Sequence, residues 1–334
     1  MTPHPSGKRT RRTVLNMTLV AAACAFTPAA FAQGATAYPA KPVKIVIGYP
    51  AGGAVDFVGR VVAEALMPHL KGIGVIENVG GAAGAIGAQR VVDSSPDGYT
   101  LLVGSTNELT ATRLINRSQR YDARKDLTPL GLIGTSSILF VASPNSGFKS
   151  IDQALVALKQ NPGKYSYGTS GVGSTLHFAG ELLKQQTGVF MTHIPYRGVA
   201  PLLTDLVGGN IELAMVTPSA AIPFITSGRI TALGTTNPQR LAVLPNVPAL
   251  AEHPQLKGYE LVAWFALMAP RNLPSDIATK ITTALEAVLR DPAVRSKLDG
   301  AGIQAATRQP DMAALLETED ARYNKLVKFA GMTN

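Results

Sequence analysis

The sequence predicts an α/β fold of two domains joined at a hinge, each domain a mainly parallel sheet flanked by helices. Three observations carry this reading. Short apolar, strand-like runs alternate with helix-like runs from about residue 43 to residue 235, and nearly every connection is short and rich in Gly or Pro. The alternation restarts after a long apolar run at 130–142. A second strong run, Leu261-Val-Ala-Trp-Phe-Ala-Leu-Met-Ala-Pro270, is followed only by helical patterns and at most one short strand. The economical path crosses to a second sheet near Leu139 and returns near Val262. The expected boundaries are 38–140 with 262–334 for domain 1 and 141–261 for domain 2.

Residues 1–32 read as an export signal. Lys8, Arg9, Arg11 and Arg12 precede an apolar run from Val14 to Phe26, and Ala30-Phe-Ala32 fits a small-x-small cleavage site, leaving Gln33 as the mature N-terminus. Thr10-Arg-Arg-Thr-Val-Leu15 also suits a twin-arginine signal, so both export routes stay open. Ala21-Ala-Ala-Cys24 faintly resembles a lipid-attachment site, but the Ala32 site is better formed. Cleavage there removes the sole cysteine, and with it disulfide and thiolate chemistry. No later run reaches the roughly 18 apolar residues of a spanning helix, which implies a soluble mature protein.

Removing the signal's four cations, with no acid lost, takes the formal charge from +9 to +5. That surplus, without a Lys/Arg-rich stripe, suits anionic solutes better than nucleic acid. Expected strands are 44–48, 75–77, 99–104, 130–142, 165–168, 190–194, 211–216, 230–235 and 261–270. Expected helices follow the first strand, run to Val92 after the glycine-rich 80–87 turn, and cover 149–159, 174–187, 199–207 and 220–226. Three more begin near Pro274, Pro292 and Pro310, each read as a first helical residue.

In such sheets the crevice lies at the carboxyl ends of the strands. Tyr49, Pro50, Ala51, Gly52 and Gly53 form a strand-to-helix turn that lets backbone approach an anion, and the helix start offers N–H groups with no internal partner. Asp56 either accepts from a ligand or favours the helix start. Ser170, Gly171, Gly173 and Ser174 form a second such turn, and Tyr196, Arg197 and Gly198 a third. Ser105, Thr106 and Asn107 are a fourth expected wall and Thr217 a fifth. Arg197 pairs with an anion or points to solvent. His177, one turn into a helix, is expected to pack or hydrogen-bond near the cleft.

Tyr49-Pro-Ala-Gly-Gly-Ala-Val-Asp56, Glu77-Asn78 with Gly80-Gly-Ala-Ala-Gly-Ala-Ile-Gly87, Asp97-Gly-Tyr-Thr-Leu-Leu102, Lys125-Asp-Leu-Thr-Pro129, Ile194-Pro-Tyr-Arg-Gly198 and Leu244-Pro-Asn-Val-Pro248 occur in this order. Together they resemble the substrate-binding proteins of tripartite tricarboxylate transporters, the Bug receptors, over nearly the whole mature chain. The resemblance implies a Venus-flytrap periplasmic binding protein with its ligand cleft at the hinge. It also implies a carboxylate held through loop backbone, hydroxyls and water, and delivery to a membrane permease. Gly80-Gly-Ala-Ala-Gly84 and Glu212 depart from the family's usual pattern. A monomer is expected; the alternatives are a ligand sensor for a signalling system and a serine hydrolase.

Evidence for an enzyme is thin at the level of sequence. Gly168-Thr-Ser-Gly-Val172 resembles a nucleophile elbow without its closing glycine, and its candidate histidine lies only seven residues after Ser170. Neither Gly-x-Gly-x-x-Gly nor a Walker motif occurs, and no His/Asp/Glu spacing suits a metal, so no cofactor is expected.

Overall fold

Val43–Ile47 (β1), Gly74–Asn78 (β2) and Thr100–Ser105 (β3) form the parallel part of a first sheet in the computed structural model, with β1 between the other two. Their Val, Ile and Leu side chains suit a sheet covered on both faces. The structure describes residues 1–3 and 38–332. The features of the export reading, from Lys8 to Ala32 with Cys24 and the start at Gln33, lie outside the described residues.

Leu127–Ser136 (β4), Ala263–Pro270 (β10) and Ile303–Ala305 (β11) complete the first sheet, in the order β11-β4-β10-β3-β1-β2. The second sheet has the order β7-β6-β8-β5-β9, from Leu139–Ala142 (β5), Ser166–Thr169 (β6), Thr192–Pro195 (β7), Leu213–Val216 (β8) and Thr231–Thr235 (β9). Apolar clusters cover both sheets, one built around Ile45, Leu101 and Phe265 and another around Phe140, Tyr167 and Met215.

The single strand expected at 130–142 is two strands, β4 and β5, one in each sheet and linked only by Ser137 and Ile138. The sheets are also mixed rather than mainly parallel. Strands β6, β7 and β8 run parallel, but β10 runs antiparallel to β3 and β4, and β5 antiparallel to β8 and β9. The reason is the route. A helical crossover turns a strand back into its sheet in the same direction, whereas β5 and β10 arrive from the other sheet.

The two crossings are sewn together by buried hydroxyls. The Ser137 and Thr235 hydroxyls bond each other; Ile138 N donates to Thr236 Oγ1 at 2.9 Å, and that hydroxyl donates to Leu261 O at 2.6 Å. Helix starts differ slightly from expectation. Pro292 is indeed the first residue of its helix, but Pro274 is the cap of Ser275–Arg290, and Asp311, after Pro310, caps the last helix. That helix, Met312–Phe329, spans both halves. Met312 and Leu316 pack in a cluster of the first sheet, whereas Tyr323, Leu326 and Val327 pack in one of the second. Tyr323 meets Phe178 edge-on at 4.9 Å. Burying each such large side chain is worth about 2 kcal/mol.

A candidate anion cleft between the two sheets

The carboxyl ends of β1, β2 and β3 share one edge of the first sheet, and those of β6, β7 and β8 share one edge of the second. Asn107, just beyond β3, joins the two edges. Its Oδ1 accepts from Thr175 N at 2.7 Å and Thr175 Oγ1 at 2.6 Å, and its Nδ2 donates to the Tyr49 hydroxyl at 2.9 Å. Gly173 lies against Ile115 at the same junction; a Cβ there would sit 1.6 Å from Ile115 Cδ1, and its φ of +72° favours glycine independently.

On the first edge, Pro50, Ala51, Gly52 and Gly53 are exposed, and Ala54–Leu70 begins from Gly53 with no side-chain cap. Asp56 is buried and fully engaged: it accepts from Gly52 N at 2.9 Å, Arg60 Nε at 3.0 Å and Asn78 Nδ2 at 2.9 Å. Burial works against its ionisation, but these donors outweigh it and lower its pKa. Asp56 therefore shapes the turn, and its oxygens are taken. Thr106 does not form a wall. It is buried, and its hydroxyl accepts from Trp264 N at 2.8 Å, tethering the hinge strand.

Below Tyr49 lies a group the sequence reading missed. Glu108 is completely buried; Oε1 accepts from Ser105 N at 2.7 Å, and Oε2 lies 2.6 Å from Ser105 Oγ and 3.0 Å from the Tyr49 hydroxyl. Burial raises its pKa to about 7 against the pull of those bonds. Burial and then Glu108 push Tyr49 well above its usual pKa, so it remains a neutral hydroxyl. A signal existed: Ser105-x-x-Glu108 is the capping-box spacing, with the glutamate reaching back to the serine N–H. The segment it opens, a π-helical turn at Asn107–Ala111 running into Thr112–Ile115, was not expected.

On the second edge, Ser174 caps Thr175–Thr187, accepting from His177 N at 3.2 Å and donating to Gly171 O at 2.8 Å. His177 is buried, as expected of a packing residue; Nδ1 accepts from Gly173 N at 3.1 Å and its ring stacks on His193, centroids 3.7 Å apart. No Ser–His side-chain bond is present among these residues; the Ser174 hydroxyl is engaged by His177 N and Gly171 O. Ser170 is half-buried, Arg197 exposed, and Tyr196 donates to Asp205 Oδ2 at 2.7 Å. Val199–Gly208 and Pro218–Thr226 start from Gly198 and Thr217, again with no side-chain cap.

His193 and Glu181 were also missed, since they meet His177 only through the β6–β7 pairing and one helical turn. Burial, then His177, lowers the His193 pKa to about 3. Burial opposes ionisation of Glu181, but His177, Lys184 and Tyr167 outweigh it and hold its pKa at about 2.

Two mixed α/β sheets, joined by two crossings and meeting at their carboxyl edges, define a periplasmic-binding-protein fold. Residues 58–332 match the model of the tripartite tricarboxylate transporter family receptor, and the chain belongs to that family. Among solved structures it is similar to R. palustris Rpa4515 with adipate (34% identical, TM-score 0.83, covering 88% of this chain and 98% of that one). It is also similar to the periplasmic binding protein BugD (30%, 0.81, 89% and 99%). The third is MatC from Rhodopseudomonas palustris with bound malate (28%, 0.79, 87% and 100%).

Proposed function

We propose that this protein is a periplasmic solute receptor that closes on a small carboxylate and delivers it to the membrane permease of a tripartite tricarboxylate transporter. The supporting observation is a set of helix starts at the carboxyl edges that carry no side-chain cap, beside one there that Ser174 does cap. The helices starting at Gly53, Gly198 and Thr217, all at the carboxyl edges, leave their first N–H groups without a side-chain acceptor. Each such end favours an anion by about 0.3–1 kcal/mol, more when desolvated.

The ligand walls are Tyr49 to Gly53, Ser105, the 170–174 turn, Tyr196 to Gly198 and Thr217, with His177 beneath. The lobes meet across this cleft and hinge where the chain crosses, near 137–138 and 236–262. Contact with both lobes in the closed form is what gives the ligand its leverage on the open-to-closed equilibrium. Adipate and malate, held by the solved relatives, are both dicarboxylates, which makes a dicarboxylate the first class to try. A thermal-shift and calorimetric series of mono-, di- and tricarboxylates against their amides tests the reading. Stabilisation by an acid and not by its amide is expected; at 100 times Kd the gain is about 2.7 kcal/mol. Equal response to acid and amide would refute the anion clamp.

A further inference from the structure

The oxygen cluster under Tyr49 holds more short contacts than it has protons. Tyr49 Oη lies 2.8 Å from Ala83 O and 3.0 Å from Glu108 Oε2, and Ser105 Oγ lies 2.6 Å from that same Oε2. Asn107 already donates to Tyr49 Oη, and Ser105 N to Glu108 Oε1. With Glu108 ionised, only the tyrosine and serine protons remain to bridge four oxygen–oxygen contacts, the fourth being Tyr49 Oη to Ser105 Oγ at 3.3 Å, since the Ala83 carbonyl can only accept. At least one of the short contacts is then a repulsion between oxygens. A proton on Oε2 supplies a further donor.

Among the described residues no nearby cation takes the place of that proton. The charged side chains on the packed elements satisfy one another: Arg113 pairs with Asp320 and Asp122, Arg124 with Asp122 and Asp320, and Arg90 with Glu77. Trp264 and Arg322 engage Glu319. The hydroxyl of Tyr121 donates to the backbone oxygen of Glu108, away from the carboxyl. The carboxyl also lies directly beneath the cleft wall, its Cδ 2.7 Å from where a Cβ on Gly84 would stand.

We propose that Glu108 is a proton-linked positioning residue: it takes up a proton as an anionic ligand enters, so that binding consumes protons and weakens as pH rises. This rests on the carboxylate-receptor reading. An incoming carboxylate places a second negative charge over a buried carboxylate that has no counter-ion, and like charges in a poorly solvated site favour the neutral form. Burial raises the Glu108 pKa to about 7, which puts the effect in an accessible range. In its neutral form Glu108 donates to Tyr49 or Ser105, which orients the Tyr49 wall.

The experiment is calorimetry of adipate and of malate between pH 6 and 9, in phosphate and in Tris, whose ionisation heats differ. Both ligands are fully ionised above pH 7, so their own titration does not enter. The wild type should show buffer-dependent heats equivalent to up to one proton taken up, and Kd should weaken by up to about tenfold per pH unit above 7. Glu108→Gln should abolish both the slope and the uptake. Tyr49→Phe, which removes a hydroxyl whose hydrogen bond pulls the Glu108 pKa down, should move the wild-type slope to higher pH and serves if the glutamine variant fails to fold. Binding with equal heats in both buffers, or a slope unchanged in Glu108→Gln, would overturn the proposal. Absence of any binding heat in either buffer would instead sink the receptor reading on which it rests.

Discussion

Asn107 is the most direct link between the two carboxyl edges, and Asn107→Ala should weaken ligand binding without touching the ligand. The substitution removes three bonds: two to Thr175, which opens a helix on the second sheet, and one to Tyr49 on the first. A net value near 1 kcal/mol per bond, with part recovered by water when the cleft opens, gives a loss of roughly 2 kcal/mol to the closed form. Since apparent Kd is the intrinsic value divided by the closed fraction, that loss corresponds to about 30-fold weaker binding. Calorimetry with a dicarboxylate reads the affinity, and small-angle scattering of the liganded and unliganded protein reads closure. Asn107→Asp keeps the acceptor for Thr175 and should recover part of the affinity. A Kd for Asn107→Ala within twofold of the wild type would refute the reasoning, because the contact would then be shared by the open and closed forms.

Other predictions follow from the same geometry. Glu108 has a folded-state pKa above its unfolded value, so its stability contribution is complete below about pH 4.5 and is lost as pH rises toward 7; Glu108→Gln should remove about 3 kcal/mol of that decline, read from urea melts across the range. His193 has the opposite sign. Its folded-state pKa is depressed, so it favours the folded protein above about pH 6.5 and loses that contribution as pH falls toward 3; His193→Asn should give the shallower acid-unfolding curve. Gly173→Ala combines a left-handed backbone with a clash against Ile115; it should destabilise by more than 1 kcal/mol in a thermal melt and weaken closure, and a melt equal to the wild type would count against the contact. Trp264, the sole tryptophan, is buried with its indole N–H 3.2 Å from Glu319, so its emission should be blue-shifted in the wild type and move to longer wavelength in Glu319→Ala.

The two-sheet plan, the order of the strand-to-helix loops and the capping role of Ser174 were legible because they rest on local physics. Alternating apolar runs, Gly/Pro turns and a serine before a helix each act within a few residues. The expectation for His177 also came through, since a lone histidine on a helix's buried side usually packs. Asp56 and Thr106 could not be placed by type alone. A carboxylate in a first turn either faces a ligand or closes its own loop, and only the positions of Asn78 and Arg60 decide.

By itself the sequence determined that the chain is an α/β protein of two halves with several glycine-led helix starts, because backbone conformation and helix ends are set by neighbours in the chain. Only the tertiary structure decided that β4 and β5 part at Ser137, that the last helix packs against both halves, and that Asn107 reaches Thr175. It also decided the state of Glu108. A carboxyl's proton depends on which oxygens and charges surround it, and Tyr49, Ala83 and Ser105 become its neighbours only once β1, the 82–84 turn and β3 have packed together.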